Sequence, residues 1–163
     1  WLRSLSYRWI FLVGGNHDAP FLDACLGGEL GRHLPGNTVL LHRGSREKRN
    51  ALGLAGDFVT DGAIRLTGQH LKPCRPEDHT VDGIVISGSG MSLGSNAWSP
   101  NRAFQLVKTD EAARREACDA LLRHEPDIAM THGPPRGSFD WGIGDEILAD
   151  ALSKCPSVQV HVF

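Results

Sequence analysis

The sequence predicts an α/β fold in a single domain covering residues 1–163, and three features carry the prediction. Short apolar runs without alternation, such as residues 9–13 and 128–130, are typical of strands buried on both faces. Two later segments repeat apolar residues at helical spacing. In the second half of the chain these patterns alternate as strand, helix, strand, helix, strand, which indicates layers of helices and strands.

The first half contains four predicted strands, at residues 9–13, 38–41, 63–66 and 83–86. Pro20 is placed to begin a short helix over residues 20–26, because proline suits the first helical turn. We interpret residues 43–50 as an exposed loop, because they are basic and polar without periodicity. Residues 87–102 are rich in Gly, Ser, Asn and Pro and predict a long irregular loop.

The second half begins with a predicted helix capped by Asp110 or Thr109 and running to about His124. Its apolar face holds Ala113, Ala117, Cys118, Leu121 and Leu122, and its polar face holds Arg114, Arg115, Asp119 and Arg123. A strand at residues 128–130 follows. A second helix has an apolar stripe and ends before Pro156, and residues 158–163 form the last predicted strand.

Composition restricts the function classes. The 17 basic and 19 acidic residues are mixed along the chain and leave a formal charge of -2, so we expect neither a nucleic-acid surface nor a membrane partner. The longest apolar run is far shorter than the roughly 20 residues of a membrane span. Four scattered cysteines predict reduced thiols in an intracellular, cytoplasmic protein. Both ends look cut, so any targeting signal could lie outside the sequence.

The first stretch that suggests chemistry is residues 11–20, FLVGGNHDAP, in which polar side chains follow an apolar strand. Asn16 offers an amide oxygen to a hard cation, and His17 can carry a proton near neutral pH. Asp18 could hold the imidazole of His17 in one tautomer. The adjacent glycines predict a sharp turn, and an ordinary turn without chemistry is the alternative interpretation.

The second stretch is Thr-His-Gly-Pro-Pro-Arg-Gly at residues 131–137, which also follows an apolar strand. Ligands of open α/β sheets collect beyond the carboxyl ends of strands, so the two stretches are compatible with one site around Asn16 and His132. The alternative is that His132 has only a structural role. Arg136 could meet a phosphate oxygen or lie in an exposed loop.

Gly-Asn-His-Asp at residues 15–18, followed much later by Thr-His-Gly-Pro-Pro, resembles the calcineurin-like metallophosphoesterases. Their motifs are, in order, D-x-H, G-D-x-x-D, G-N-H-[DE], a lone His and G-H-x-H. The branch called metallophosphoesterase domain-containing proteins is more similar, since Gly137–Trp141 fits its Gly-x-x-Asp-Trp run. Residues 160–163 resemble the strand before G-H-x-H. The resemblance is sharp at 9–18 and 128–163, fainter at 84–104 and absent around 43–80.

The resemblance implies an α/β/β/α sandwich, incomplete at both ends, because the first two motifs and the last fall outside the sequence. It implies two divalent metal ions (Mn, Fe, Zn or Mg) whose bridging hydroxide attacks phosphorus. Asn16 and His132 would be ligands of the second metal, His17 the general acid and Asp18 its orienting partner. The substrate would be a small phosphoester, with a phosphodiester such as a cyclic nucleotide among the candidates. With most ligands missing, this fragment alone should bind metals poorly.

Two other functions remain open. The chain could be a truncated or degenerate family member that acts as an interaction domain. Alternatively, Ser92 could be the nucleophile of a serine hydrolase, because residues 90–94 fit G-x-S-x-G. That motif must lead directly into a helix, which Gly94 and Pro100 oppose.

The remaining matches are weak. His70, Cys74 and His79 lack a fourth zinc ligand, and the glycines at 88, 90 and 94 miss the dinucleotide spacing by one residue. Asp57 and Asp61 are interpreted as a surface turn. His161 is expected to be structural. Loop 87–104 is where we expect substrate selectivity.

Overall fold

The protein is represented by a computed structural model that describes residues 1–18, 34–35, 37–41, 62–66, 83–94 and 105–163. Outside these ranges lie the predicted helix at 20–26, the predicted loop at 43–50, and the residues weighed as weak matches between positions 57 and 79.

The described elements follow the predicted order. A short 3-10 helix, Leu2–Ser4, precedes the first strand. The strands are β1 Ile10–Leu12, β2 Thr38–Leu40, β3 Ala63–Leu66, β4 Ile84–Ser89, β5 Ser92–Leu93, β6 Gln105–Leu106, β7 Ile128–Thr131 and β8 Val160–Val162, and the helices are α1 Glu111–Leu122 and α2 Glu146–Ser153.

Four strands form one sheet in the order β3-β4-β7-β8. β3 runs antiparallel to β4, and β4, β7 and β8 are parallel to one another. The pairs β1–β2 and β5–β6 are each parallel and form separate two-stranded sheets. Helix α1 precedes β7 and α2 connects β7 to β8, as parallel strands require.

Strands β3, β4 and β7 of the sheet pack against other layers, whereas Val160 and Val162 of β8 are exposed. Core residues of β2, β3 and β4 pack together with half-buried Phe11 and Val13 from the β1 segment, which places the β1–β2 pair over one face. A second core joins α1 and α2 through Cys118, Leu121 and Leu148. These are three layers, helices, four-stranded sheet and β1–β2 pair, and they confirm the predicted α/β class as a partial α/β sandwich. A single domain over 1–163 stays a prediction.

The predicted irregular loop at 87–102 is wrong at its beginning, because β4 continues to Ser89 and β5 follows at Ser92–Leu93. Small residues stand there for a packing reason. A Cβ atom at Gly88 would lie 2.6 Å from Leu41 Cβ and 2.6 Å from Val13 Cγ1. The β1–β2 pair therefore approaches β4 so closely that only glycine fits at position 88. The small residues that suggest a loop here instead allow two layers to pack together.

Helix α1 begins where predicted, with the Asp110 carboxylate accepting the Ala113 backbone N–H at 3.0 Å. It ends at Leu122, two residues before the predicted end. The predicted outward orientation of Arg114 is wrong: the residue is only 1% exposed. Its guanidinium meets the carboxylates of Asp145 and Glu146, an acidic pair at the start of α2 that helical periodicity cannot reveal.

No helix within the described ranges is long and apolar enough to cross a membrane.

Candidate functional site

The two chemistry-bearing stretches meet, although their strands belong to different sheets. Asn16 lies four residues beyond the end of β1, and His132 directly follows β7. The Oδ1 atom of Asn16 lies 2.9 Å from Nε2 of His132. The site is therefore built between two layers of the sandwich, at the carboxyl ends of strands. Their roles as metal ligands stay predictions.

Gly15 supports the imidazole of His132 directly. A Cβ atom at this position would lie 2.7 Å from Cε1, 2.8 Å from Nδ1 and 2.9 Å from Nε2 of that ring. Neither Gly14 nor Gly15 has the positive φ that a glycine-specific turn would need. The sharp turn expected from the glycines is thus not the reason for Gly15, which is required by close approach of the ring.

Replacing Gly15 by Ala should displace the ring of His132, because the added methyl group would overlap three ring atoms. The ring is exposed and can move, so we expect weaker Mn²⁺ binding with little loss of thermal stability. Calorimetric titration of the complete polypeptide with Mn²⁺ and thermal unfolding would measure both. The matched control is Gly137→Ala, where no atom lies within 4 Å of the added Cβ, although its φ of 87° strains the backbone. Unchanged Mn²⁺ affinity in Gly15→Ala would contradict the expectation.

Asp18 closes the turn that carries His17. Its carboxylate accepts the Gly15 backbone N–H at 2.8 Å, and its own N–H donates to the Gly15 carbonyl at 3.0 Å. These bonds fix the backbone on both sides of His17, whose side chain is exposed to solvent. A proton donor must be reachable by substrate, and this position meets that need. The roles of His17 as acid and Asp18 as its orienting partner stay predictions.

The turn that carries His132 is anchored to the segment between β4 and β5. The His132 N–H donates to the Ser89 carbonyl at 3.3 Å, and the Gly133 N–H donates to the Met91 carbonyl at 3.0 Å. A Cβ atom at Gly133 would lie 2.9 Å from Ser92 Cα. This close contact explains the glycine that follows His132.

Thr131 and His161 lie behind the same turn. The buried Oγ1 of Thr131 is 2.7 Å from the Gly133 carbonyl oxygen and 2.9 Å from Nε2 of His161. Burial lowers the pKa of His161, whose ring also stacks at an angle on Phe163 with centroids 5.2 Å apart. Sequence reasoning missed Thr131 and the role of Gly15, because neither residue type signals its neighbours in space.

A pocket of about 260 Å³ lies beside the meeting point of the two stretches. Its lining includes Asn16, Ser92, Gln105, His132, Ile143 and Asp145. A larger cavity of about 600 Å³ between α1 and α2 is lined by none of the predicted site residues. Because Asn16 and His132 line the smaller pocket, that pocket is the candidate site. Of the described part of loop 87–104, residues 91–93 line this pocket.

Asn16 and His132 fit one edge of a divalent-cation site, since an amide oxygen and an imidazole nitrogen are both ordinary ligands. Asp145 lines the same pocket, but its carboxylate is engaged by Arg114 and by two backbone N–H groups of α2. Within the part of the chain that the structure describes, no three His, Cys, Asp or Glu side chains cluster around a possible metal. Asn16 and His132 alone are too few to complete the coordination of such a cation.

The Ser92 alternative lacks its required geometry. Ser92 lies in strand β5, and pairing with β6 extends to the Gly94 N–H, which donates to the Leu106 carbonyl at 3.0 Å. A serine-hydrolase nucleophile instead stands at a turn from a strand directly into a helix. The Ser92 hydroxyl is buried and has no hydrogen-bonding partner among the described residues.

A loop at residues 136–144 forms one rim of the site. Arg136 is exposed but tied within the loop, donating from Nη1 to the Gly142 carbonyl at 2.9 Å. Asp140 fastens the loop by accepting backbone N–H groups, including that of Gly144 at 3.1 Å. Phe139 and Trp141 have positive φ values of 51° and 50° and are 95% and 97% exposed. The loop thus holds two aromatic side chains in solvent.

Acid should destabilise the fold through Asp140 and Glu146. Backbone hydrogen bonds, first from Gly137, lower the pKa of Asp140 below its ordinary 3.8, and the hydrogen bond from Arg114 lowers the pKa of Glu146 below 4.5. A lowered pKa stabilises the fold above the ordinary value, and that contribution is lost as pH falls through the folded value. The melting temperature should therefore decrease as the pH is lowered below about 4. This decrease should be less steep in Asp140→Asn. Equal slopes of melting temperature against pH in wild type and Asp140→Asn would contradict this expectation.

A protein-family model described as calcineurin-like phosphoesterase matches residues 1–163. No curated protein matches the chain, and no solved structure does. Proteins of the matched family are typically dinuclear metal-dependent hydrolases of phosphoesters. The match is to the family as a whole, so the branch that the sequence resembles stays a prediction.

Proposed function

The chain belongs to the calcineurin-like phosphoesterase family, and on that premise we propose that it acts as a metal-dependent phosphodiesterase. One observation carries the proposal. Asn16 Oδ1 and His132 Nε2, two possible metal ligands in the segments that follow β1 and β7, lie 2.9 Å apart beside a pocket. An amide oxygen and an imidazole nitrogen that face each other at strand ends can serve as two ligands of one metal ion.

Two divalent cations (Mn, Fe, Zn or Mg) would supply an activated water and positive charge for the phosphate oxygens. Asn16 and His132 would hold one of them, and both ligands are uncharged, so they would leave its positive charge available to an anionic substrate. His17 would donate a proton to the leaving oxygen. Asp18 would keep His17 in place through its bonds to Gly15.

The substrate we propose is a small phosphodiester, with cyclic nucleotides among the candidates. The pocket is small, and Leu93, Leu106 and Ile143 give it apolar walls for the organic part of such a molecule. We also propose an intracellular, cytoplasmic location, because Cys118 and Cys155 are unbridged. Burial raises the pKa of Cys118 to about 12, so this thiol stays protonated and unreactive.

The test is elemental analysis of the complete polypeptide, which should carry the remaining motifs, together with its turnover of an aryl phosphodiester, bis(p-nitrophenyl) phosphate. We expect about two bound transition-metal ions per chain, loss of turnover on chelation and recovery with added Mn²⁺. Turnover that survives chelation and is lost in Ser92→Ala would overturn the proposal in favour of a serine hydrolase.

A non-catalytic interaction domain is the second candidate, and one observation favours it. Phe139, Trp141 and Ile143 are exposed large apolar side chains within five consecutive residues, and such patches often mark protein contacts. A chain that takes up no metal and cleaves no phosphodiester, but whose Trp141 fluorescence changes on binding another protein, would support this second function over the first.

A further inference from the structure

We propose that Thr131 and His161 are positioning residues that hold His132 in the orientation needed at the metal site, an inference that rests on the function proposed above. The two residues are called the Thr131–His161 pair below. They lie on neighbouring parallel strands, β7 and β8, and neither is one of the predicted ligands.

Thr131 is the last residue of β7 and is 2% exposed. Its hydroxyl lies 2.7 Å from the carbonyl oxygen of Gly133, so this bond spans His132 from one side to the other. A bond between the residues that flank His132 restricts the backbone torsions of His132 itself. The direction in which its side chain leaves the turn is fixed as a result.

The direction of each hydrogen bond follows from the number of protons. A carbonyl oxygen can only accept, so the single hydroxyl proton of Thr131 goes to Gly133. Thr131 Oγ1 must then accept from Nε2 of His161, 2.9 Å away. His161 therefore carries a proton on Nε2, and the bonds run in one direction from His161 through Thr131 to Gly133. Bonds arranged in this way polarise and strengthen one another.

The other side of the turn is held separately. The backbone N–H groups of His132 and Gly133 donate to the carbonyls of Ser89 and Met91. The Thr131–His161 pair secures the Gly133 carbonyl, which those bonds leave untouched. The His132 ring is itself exposed, rests on Gly15 and lies 2.9 Å from Asn16 Oδ1, so its position depends on these contacts and on the backbone that carries it. Outer hydrogen bonds of this kind are known to tune metal ligands.

Three variants separate positioning from packing. Thr131→Val keeps the shape but removes the hydroxyl, and His161→Phe keeps a ring but removes the N–H donor. His161→Gln restores a donor near the position of Nε2. Thr38→Val is the matched control, because Thr38 is fully buried and its hydroxyl has no partner among the described residues. A histidine control, His124→Gln, changes a residue that lies outside the site.

Two readouts are taken on the complete polypeptide: Mn²⁺ titration and NMR of the histidine ring nitrogens. We expect Thr131→Val and His161→Phe to raise the Mn²⁺ dissociation constant about 10- to 100-fold, and His161→Gln to stay near wild type. In the metal-free chain, His161 should be the Nε2–H tautomer. The His132 ring signals should move in Thr131→Val and stay in place in Thr38→Val.

Unchanged His132 ring signals in both Thr131→Val and His161→Phe would overturn the inference, whatever the chain does with metal. If the ring signals move as expected but wild type takes up no Mn²⁺, the pair still positions His132 and only the proposed hydrolase function fails. Loss of Mn²⁺ affinity in Thr38→Val as large as in Thr131→Val would also overturn the inference, since the effect would then follow from any buried substitution.

Discussion

His17→Gln is expected to lower kcat about 10²- to 10⁴-fold for a phosphodiester whose leaving group is an alkoxide, the usual contribution of a positioned general acid. An alkoxide is strongly basic and leaves only when it is protonated. His17 is exposed and directly follows Asn16 in the chain, and its backbone is fixed by the bonds between Gly15 and Asp18. We expect the fold to be retained, because the His17 side chain is exposed.

The leaving group distinguishes this role from a ligand role. An aryl phosphodiester with a weakly basic leaving group needs little protonation, so its kcat should fall far less in His17→Gln. Mn²⁺ affinity should stay at the wild-type value, since His17 is predicted to donate a proton and not to bind metal. His124→Gln serves as the matched histidine control. Equal losses for both substrates, or a loss of metal, would show that His17 is not the acid.

Local patterns were sufficient for much of the fold. The strand predicted at 63–66 is β3 with the same bounds, and the Asp110 cap of α1 forms as expected. Both depend on neighbours within a few residues, where periodicity and capping rules apply. The contact between Asn16 and His132 could also be predicted, although the residues are far apart in the chain. Polar residues that follow strands lie together at one edge of a layered fold.

What the sequence could not reveal depends on residues that are distant along the chain. Helical periodicity predicts Arg114 on the polar face of α1, but its partner Asp145 lies 31 residues later in the chain. Residues 87–89 look like a loop, yet Gly88 is small because Leu41 and Val13 press on it. Gly15 and Thr131 likewise owe their roles to the ring and the turn they touch. Composition describes a segment, whereas packing against another layer decides how that segment is used.

Asp145 connects the helices to the site. It caps α2 by accepting the Ile147 and Leu148 N–H groups at 2.8 and 3.3 Å, and it receives Arg114 from α1. It also lines the pocket beside His132. Its backbone N–H donates to the Pro134 carbonyl at 3.0 Å, just past the His132 turn. The stability of the two-helix layer and the shape of the pocket therefore both depend on Asp145.

Arg114→Met is accordingly expected to lower the free energy of unfolding by about 3–5 kcal/mol, the usual cost of leaving one charge of a buried pair without its partner. Arg114 donates from Nε and Nη2 to the two carboxylate oxygens of Asp145, and from Nη1 to the Lys108 carbonyl at 2.8 Å. The hydrogen bond to Asp145 also raises the pKa of Arg114 above its ordinary value. Chemical denaturation monitored by circular dichroism would measure the loss.

Two further variants test whether burial and charge cause the loss of stability in Arg114→Met. Arg115→Met changes the next residue of α1, whose 3.5 Å ion pair with Glu111 is exposed, and should cost at most about 1 kcal/mol. Adding Asp145→Asn to Arg114→Met should recover part of the loss, because asparagine still caps α2 but carries no charge. If the double variant were less stable than Arg114→Met alone, the uncompensated carboxylate would not be the cause, and the lost packing of the Arg114 side chain would explain the result instead.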